Sequence, residues 1–396
     1  IRRPPRSTLS SSSAASDVYK RQIYLDSNER TLKMFNMYKY LWFYGTKPVD
    51  STATILPSEK EVFVERNQSV LDAALKAGLD WPHDCKFGTC GQCKCKLIKG
   101  KIKPTSDYSY TLSKEELKDD YFLACQSRLT MDSEIEVELG NLVRVPPKVY
   151  DAVVKKTEML TSDILKVVIE TEKEVEHSGL PGMWAELSIE GLDRPRSYSY
   201  ASAPKNENPK EFTFFIRKVP GGKFTEWLFD EKRDVKQSVT INGPFGSFYL
   251  REKSTPIVCI AGGSGLAPIK SLLEGGVIDQ IKRDVVFLFG ARTQDDLYCV
   301  KELEEIKKNW NQEFKFDFIP VLNMEPEDSD WNGGRGFVTD YFEENVIRKN
   351  NLDISDWQGY LCGPPPMVDA ASSLLQKHGI KVDEIFYDKF TDSSNL

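Results

Sequence analysis

The chain has 396 residues, of which 29% are charged and 40% hydrophobic, and its formal net charge is -7. This length allows two or three domains with separate cores, and the composition is typical of a globular protein. The negative charge and the lack of Lys/Arg-rich blocks argue against nucleic acid as the main partner, because phosphate binding needs concentrated positive charge.

Hydropathy and cysteine usage give expectations about the compartment. Apolar runs such as the one over 285–289 are far shorter than a bilayer requires, so no transmembrane segment is expected. The chain has eight cysteines, most of them in one short motif or at isolated strand positions, unlike a secreted disulfide scaffold. We therefore expect a reducing compartment, the cytoplasm.

Residues 1–22 combine arginines with a serine run over 10–13 and match no folded element. We interpret them as a non-native leader that resembles a translated sequencing adapter, with Met34 or Met37 as a plausible true start. An Arg/Ser-rich transit peptide is the alternative interpretation. Residues 23–51 are expected to form an N-terminal extension whose aromatic part packs against the first domain.

Four cysteines carry the most specific pattern in the chain. Cys85, Cys90 and Cys93 follow the spacing C-x4-C-x2-C, and Cys125 comes later along the chain. This is the ligand pattern of a plant-type 2Fe-2S cluster, in which one loop supplies three thiolates and a distant segment supplies the fourth. A disulfide set or a zinc site fits this spacing poorly.

Residues around the motif support this interpretation. Gly88 and Gly91 can adopt left-handed dihedrals that bring backbone N–H groups close to the sulfurs. Cys95 is expected to point the other way from the following strand and to serve as a small core residue. His83 just before the first ligand suggests a Rieske centre, but four cysteines are already available, so we predict a surface histidine.

The elements over 52–142 indicate a compact β-grasp ferredoxin-type domain. Strands are predicted at 53–56, 61–64, 94–98 and 135–137, with a first helix over 69–77. A second helix begins at Ser113, whose partner Glu116 three residues later forms a capping box, and it ends before Tyr121 to deliver Cys125. A Pro-Pro pair near 146 then indicates a linker.

Residues 147–251 show β-branched runs at 152–154, 164–169 and 185–189, which predict an antiparallel β-barrel. Within it, Arg196 can grip a pyrophosphate, Tyr198 can cover a flavin face and Ser199 can reach the flavin N5. Gly221 and Gly222 form a turn that leads to Thr225 at the head of a short helix, an arrangement that attracts phosphate. Each motif alone also suits an ordinary strand or turn.

Residues 254–396 alternate apolar strands and helices, which predicts a parallel sheet with helices on both faces. A strand over 257–261 runs into Gly262, Gly263 and Gly265, and Pro268 follows in the next helix. This strand, glycine turn and helix can place a dinucleotide phosphate on a helix N-terminus, although the spacing is not G-x-G-x-x-G.

Two further strand ends in this region carry candidate residues. Asp296 and its acidic neighbour would repel a 2′-phosphate and so favour NADH over NADPH, although Arg292 argues the reverse. A strand over 359–361 ends at Cys362, followed by the rigid turn Gly363-Pro364. Cys362 is either a thiol presented at the carboxyl edge of the sheet or a buried core thiol.

Taken in order, these motifs resemble the reductase components of bacterial multicomponent oxygenases, such as those of phenol hydroxylase and soluble methane monooxygenase. The likeness covers about 52–390 and implies an α+β multidomain protein: a β-grasp ferredoxin domain, an antiparallel β-barrel FAD domain and an α/β parallel-sheet nucleotide-binding domain. Met183 and Trp184 depart from the family pattern of Gln and an aromatic residue, which leaves the flavin edge in doubt.

The resemblance also assigns roles. By this likeness Arg196, Tyr198 and Ser199 hold FAD, and Gly221, Gly222 and Thr225 bind its phosphates. The residues assigned to NADH are Gly262, Gly263, Gly265, Pro268, Arg292, Asp296, Gly363 and Pro364. Ser199 and Cys362 would lie beside the reacting nicotinamide and flavin, and Phe390 would cover the other flavin face.

The implied activity is electron transfer from NADH through FAD and the 2Fe-2S cluster to a partner protein, an oxygenase or similar acceptor. FAD is required because NADH gives two electrons together and the cluster accepts one. The partner is expected to dock near Lys86, Phe87 and Thr89. A reductase for deoxysugar synthesis is one alternative, and a redox sensor or respiratory-pump subunit is another.

Overall fold

The computed structural model describes residues 47–83, 86–88, 91–108, 111–140, 147–176, 178–204, 209–230 and 238–390. The expected leader, most of the N-terminal extension, and the predicted site residues Cys85, Thr89 and Cys90 lie outside the described residues. Within these ranges, the chain forms three successive units, each built around one main sheet.

The first unit is a mixed sheet packed against a helix. Its elements are β1 (Ser51–Leu56), β2 (Lys60–Val64), α1 (Val70–Lys76), β3 (Lys94–Lys99), β4 (Ile102–Pro104), α2 (Lys114–Lys118), β5 (Tyr121–Leu123), β6 (Ser127–Leu129) and β7 (Ser133–Glu136). The sheet order is β2-β1-β7-β3-β5, with β1 and β7 parallel, and β4 pairs with β6 separately. Five of the seven residues of α1 are buried against this sheet.

Helix α2 begins as its sequence predicts. The Ser113 amide donates to Glu116 Oε2 at 2.7 Å, and the Glu116 amide donates to Ser113 Oγ at 3.1 Å. The capping box is therefore confirmed. The sequence interpretation missed β4, β5 and β6 because each has three residues, too few to show an alternating pattern.

The second unit is an antiparallel barrel. Its elements are β8 (Lys148–Met159), β9 (Ile164–Thr171), β10 (Trp184–Ile189), β11 (Arg196–Ser199), β12 (Glu211–Arg217), α3 (Lys223–Phe229) and β13 (Ser238–Phe245). The order is β11-β10-β13-β8-β9-β12, and an antiparallel bridge between Tyr200 and Phe214 brings the two ends together. Strand β9 alternates buried and half-buried residues, as expected for a barrel wall with one face in the core.

The third unit is a parallel sheet covered by helices. Its elements are β14 (Ile257–Gly262), α4 (Leu266–Ile278), β15 (Val285–Ala291), α5 (Val300–Asn309), β16 (Phe316–Leu322), β17 (Gly334–Arg335), α6 (Val338–Tyr341), a π-helical segment (Phe342–Arg348), β18 (Gln358–Gly363), α7 (Pro365–Lys377) and β19 (Ile385–Lys389). The order is β17-β16-β15-β14-β18-β19, and its neighbouring strands run parallel.

Strand β14 shows why the helices cover both faces. Ile257 and Cys259 belong to a core that contains residues of α4 and α5, whereas Val258 and Ile260 belong to another that contains residues of α7. Because successive side chains point to opposite faces, a strand buried on both sides is apolar throughout. The predicted fold class is confirmed in all three units.

In the part of the chain that the structure describes, none of the helices has the length and apolar character needed to cross a membrane.

Candidate functional site

Two of the four predicted cluster ligands lie among the described residues of the first unit. Cys93 and Cys125 are both buried, and the Ala124 amide donates to the Cys93 carbonyl at 3.1 Å, which joins their two segments. Cys85 and Cys90 lie outside the described residues. The hydroxyl of Thr111 donates to the Gly88 carbonyl at 2.7 Å, which fixes the loop from its other side.

Glycines in this loop adopt the conformation that their positions predict. Gly88 and Gly91 have φ of 83° and 75°, values that residues other than glycine rarely adopt. A Cβ at Gly88 would also lie 2.7 Å from Cγ of Gln126, whose amide group donates to the Lys86 carbonyl at 3.0 Å. Cys95 is buried on β3, and burial raises the pKa of its thiol well above the usual value. Its predicted role as a core residue is confirmed.

In the barrel, β11 carries the predicted flavin motif. The Arg196 guanidinium donates to Asp193 Oδ1 at 3.1 Å and to the Arg194 carbonyl at 2.5 Å, so it is held at the strand start. The Tyr198 ring packs against Phe224 of α3 with centroids 5.6 Å apart. Strand β11 thus places Arg196 at one end of the motif and Ser199 at the other.

The Gly221-Gly222 turn and Thr225 are linked mainly to one another. The Gly221 amide donates to Glu226 Oε1 at 2.9 Å, and the Gly222 amide donates to the Val219 carbonyl at 2.9 Å. The Thr225 hydroxyl is within hydrogen-bond distance of the carbonyl oxygens of Val219 and Gly222, at 3.0 and 3.1 Å. These contacts stabilise the turn, and the phosphate role of the three residues stays a prediction.

At the end of β14, each glycine meets a different constraint. Gly263 has φ of 56° and open space where a Cβ would lie, and its carbonyl accepts the Tyr298 hydroxyl at 2.8 Å. At Gly265 a Cβ would lie 2.4 Å from the Cys362 carbonyl oxygen, and at Gly262 it would lie 2.6 Å from Met367 Sδ. Gly265 therefore allows the close approach of β18, and Gly263 leaves room for a ligand.

The acidic residue predicted beside the nucleotide is already paired. Arg292 Nε and Nη2 donate to the two carboxylate oxygens of Asp296 at 2.8 and 2.7 Å. This fork lowers the pKa of the Asp296 carboxyl below its usual value. The two residues that gave opposite expectations about the cofactor thus form one ion pair.

Residues from two units meet at the carboxyl end of β18. Cys362 is fully buried there, and strand register places it opposite Asp388 of β19. Asp388 Oδ2 accepts a hydrogen bond from the Ser199 hydroxyl at 3.3 Å, although Ser199 belongs to the barrel. Both predicted catalytic residues therefore neighbour Asp388, Ser199 through a hydrogen bond and Cys362 through strand register, and the sequence interpretation did not single out this aspartate. Of the two alternatives for Cys362, its full burial within an apolar core matches the core thiol.

Phe390, the predicted cover of the other flavin face, lies at the same end of the sheet. The Phe390 amide donates to the Gly363 carbonyl at 2.9 Å, and Gly363 has φ of 147° in the turn before Pro364. Pro364 is the cap residue of α7, and Pro268 is buried in the first turn of α4. The predicted nucleotide residues of β14 and β18 are thus adjacent at one sheet edge.

His83 is buried, so the prediction of a surface histidine is wrong. It is 0% exposed and lies where the first unit meets the barrel, within hydrogen-bond distance of Gly246. Its partner is 163 positions away along the chain, and no local pattern indicates such a contact. Lys86 is also turned towards the barrel, 3.5 Å from Glu186 and 4.0 Å above the Phe245 ring.

Three family models match successive stretches of this chain. The 2Fe-2S iron-sulfur cluster binding domain matches 53–130, the oxidoreductase FAD-binding domain matches 151–249 and the oxidoreductase NAD-binding domain matches 259–373. The order of the three matches is the order of the three units in the structure.

The curated relatives match this chain over nearly their whole length. The chain is 37% identical to the xylene/toluene monooxygenase electron transfer component XylA of Pseudomonas putida, over 87% of this chain and 94% of the relative. It is 34% identical to the reductase component of propane 2-monooxygenase from Mycolicibacterium smegmatis, over 85% of this chain and 95% of the relative. The chain belongs to the family of oxygenase reductase components. This confirms the resemblance stated from its motifs.

The reductase also shares its fold with solved structures. It matches the Amycolatopsis cytochrome P450 reductase GcoB with a TM-score of 0.74 and 31% identity, over 86% of this chain and 99% of that one. The ferredoxin reductase in carbazole 1,9a-dioxygenase gives a TM-score of 0.65 with 28% identity. The protein is thus a ferredoxin reductase-type oxidoreductase with 2Fe-2S, FAD-binding and NAD-binding domains.

Buried polar atoms of this reductase fit the binding of FAD. Ser197 Oγ of the flavin motif and Trp227 Nε1 of α3 are buried and have no hydrogen-bond partner within the described ranges. Such groups are costly to bury unsatisfied, so each of the two atoms could bond to a polar atom of a bound group. The positive φ and exposed backbone of Gly263 leave the end of β14 accessible, and the buried thiols of Cys93 and Cys125, whose segments are hydrogen-bonded to each other, suit a cluster.

Proposed function

We propose that this reductase oxidises NADH and passes the electrons through FAD and the 2Fe-2S cluster to an oxygenase component in the cytoplasm. The observation that carries the proposal is the convergence of Ser199 and Cys362 on Asp388, which joins the barrel to the nucleotide sheet. The relatives named as electron transfer or reductase components of monooxygenases support the choice of partner.

The chain's own residues would hold the cofactors as follows. Arg196 would bind the FAD pyrophosphate, Tyr198 would lie on the flavin ring, and Ser199 would present its hydroxyl to the flavin N5. The turn at Gly263 would receive the nucleotide phosphates. When bound, FAD supplies the conversion between the two-electron chemistry of NADH and the one-electron chemistry of the cluster.

The preference for NADH rests on the charges around the end of β15. The backbone N–H of Gln294 donates to Glu325 Oε2 at 2.9 Å, and its side-chain Nε2 donates to Asp330 Oδ1 at 3.0 Å. Two carboxylates therefore lie beside the Arg292–Asp296 pair. Because Asp296 occupies the Arg292 guanidinium, the arginine is not offered to a 2′-phosphate. We take this occupied guanidinium as the feature that disfavours NADPH, although Arg217 and Arg335 also lie near these carboxylates.

Steady-state rates with ferricyanide as acceptor test this proposal. We expect kcat/KM for NADH to exceed that for NADPH, and the Asp296→Asn variant to raise the relative value for NADPH by about tenfold, since it releases an arginine for phosphate binding. Asp295→Asn is the matched control, because it removes the same charge from an exposed neighbour without releasing Arg292. A wild-type protein that prefers NADPH would refute the nucleotide assignment.

A further inference from the structure

His83 joins the cluster loop to the flavin barrel through a defined tautomer. Its Nδ1 lies 2.7 Å from the Trp81 carbonyl oxygen, and its Nε2 lies 3.0 Å from the Gly246 amide nitrogen. A carbonyl oxygen only accepts and an amide N–H only donates, so Nδ1 carries the hydrogen and Nε2 accepts. The His83 carbonyl also accepts the Ser247 hydroxyl at 3.1 Å.

The Gly246 amide, which donates this hydrogen bond, lies close to the flavin motif in the strand register. Ser199 pairs with Trp184 across β11 and β10, and Trp184 pairs with Phe245 across β10 and β13. Gly246 directly follows Phe245 and has φ of 95°, and a Cβ there would lie 2.6 Å from the Trp184 ring. The Gly246 amide that binds His83 is thus two strand pairings and one residue along the chain away from Ser199.

The rings between these points belong to the core of the first unit. Trp184 and Phe245 are each 3% exposed, their centroids are 4.8 Å apart, and both pack within the ferredoxin core although they are barrel residues. These two rings therefore extend the apolar core of the first unit into the barrel. His83 lies at its edge, two residues before the first predicted cluster ligand, Cys85.

We propose that His83 is a positioning residue, which holds the cluster loop at a fixed separation from the flavin strand and thereby sets the rate of electron transfer between the two cofactors. The inference rests on the proposed function. Each transfer would move one electron from the flavin to the cluster, where one ferric iron becomes ferrous. The second transfer requires that the cluster first pass its electron to the acceptor protein, and the proton left on the flavin N5 by the hydride is released to solvent once both electrons have gone.

Anaerobic stopped-flow mixing with NADH separates the two steps. Flavin bleaching reports delivery from NADH, and cluster absorbance reports the transfer that His83 is proposed to control. We expect His83→Ala to leave the rate of flavin bleaching unchanged and to slow cluster reduction several-fold, because electron transfer slows steeply as two cofactors move apart. His83→Gln returns an acceptor to the Gly246 amide and should restore part of the rate.

Tyr249→Phe is the matched control at the same junction. The Tyr249 hydroxyl donates to Asp80 Oδ2 at 3.4 Å, so this variant removes another hydrogen bond between the barrel and the first unit. We expect it to leave both phases unchanged. Equal slowing in the two variants would show that docking in general, and not His83, sets the rate, and would overturn the proposal.

Hydrogen exchange on the oxidised holoprotein gives a readout that needs no NADH. The Gly246 amide should exchange faster in His83→Ala than in the wild type or in Tyr249→Phe, since its acceptor is removed. Unchanged exchange, or cluster reduction at the wild-type rate, would refute the role of His83. Failure of NADH to bleach the wild-type flavin would instead refute the proposed function, while the exchange result would still report on the link.

If His83→Ala fails to retain iron, the rates of cluster reduction in His83→Gln and His83→Asn are compared instead. The Gln side chain can reach the Gly246 amide, whereas the shorter Asn mimics only the Nδ1 contact to the Trp81 carbonyl. Faster cluster reduction in Gln than in Asn supports the link to Gly246. Equal rates in these two variants would contradict it.

Discussion

Single side chains show how the fold brings separate motifs into one site. Ser199 comes from the barrel and Cys362 from the parallel sheet, and both lie at Asp388 near the C-terminal end of the described chain. Ser199 and Asp388 are nearly buried, and the Ser199 hydroxyl has a carboxylate acceptor that fixes its direction. This hydrogen bond links the barrel to the nucleotide-binding sheet, and the role of Ser199 towards the flavin stays a proposal.

Replacing Ser199 by alanine should slow reduction of the flavin by NADH. We expect a loss of at least about tenfold, because one hydrogen bond made mainly in the transition state contributes 1.4 kcal/mol or more. The measurement is anaerobic stopped-flow absorbance of the flavin. Ser188→Ala, at the far end of β10, should react like the wild type, and a wild-type rate in Ser199→Ala would exclude the assigned role.

The cysteines of the first unit should separate into ligands and core residues. Cys95→Ala should keep the full iron content and visible spectrum, because burial raises the pKa of this thiol and it lies on β3 rather than in the loop. Cys125→Ser should lose the cluster. Iron analysis with circular dichroism, as a check on folding, distinguishes the two, and iron loss in Cys95→Ala would reverse the assignment.

The limits of sequence-based prediction are clear at this scale. The conformation of Gly88 and the burial of Cys95 follow from local rules, and both were predicted. The burial of His83 and the contact of Asp388 with Ser199 depend on partners 163 and 189 positions away. No periodicity or spacing in a single sequence reports such distances, so these features appear only in the folded chain.

At the scale of elements, strand prediction succeeds wherever burial imposes a pattern. Strand β14 is buried on both faces and therefore reads as a continuous apolar run, and the predicted 257–261 differs from Ile257–Gly262 by one residue. The short strands β4 and β6 pair only with each other, and β6 directly follows the segment of Cys125. Their position depends on tertiary contacts, and their sequences carry no signal of it.

One ion-pair cluster joins two elements of the nucleotide-binding unit and gives it a dependence on pH. Glu343 accepts from Arg348 at 2.6 Å and from Lys377 near the end of α7 at 2.8 Å. These hydrogen bonds, that of Lys377 first, lower the pKa of the Glu343 carboxyl to about 2. A carboxyl with a depressed pKa stabilises the fold above its unfolded pKa of about 4.3, and this contribution disappears as the pH falls towards 2.

We therefore expect Glu343→Gln to melt at a lower temperature than the wild type at pH 7, with a difference that shrinks as the pH falls below about 4. Thermal unfolding at a series of pH values provides the measurement. Glu344→Gln, the exposed neighbour on the same segment, should match the wild type throughout. A difference of the same size at pH 7 and at low pH would contradict the assigned cause.

At the scale of the whole molecule, the order of the three units along the chain is the reverse of the order in which electrons are proposed to pass. The Lys86 side chain of the cluster loop is 15% exposed and forms ion pairs with Asp72 and with Glu186 of the barrel. Lys86 is therefore poorly placed to contact a partner. Phe87 of the same loop is 43% exposed, and the guanidinium carbon of Arg194 from the barrel lies 5.5 Å from the centre of its ring.

Phe87→Ala should weaken the use of the protein acceptor without changing electron delivery to small acceptors. We expect the KM for the oxygenase component to rise by about fivefold or more, because an exposed aromatic residue near the centre of an interface commonly contributes over 1 kcal/mol. Phe63→Ala on β2, 64% exposed in the same unit, is the control. An unchanged KM would place the docking surface elsewhere.

The central claim is that one chain carries electrons from NADH through FAD to a 2Fe-2S cluster. Anaerobic titration of the purified holoprotein with NADH, followed by visible absorbance and by EPR, tests it most directly. We expect the flavin to bleach and the EPR signal of the reduced cluster to appear in the same titration. Bleaching of the flavin beside a cluster that is absent or stays oxidised would contradict the account.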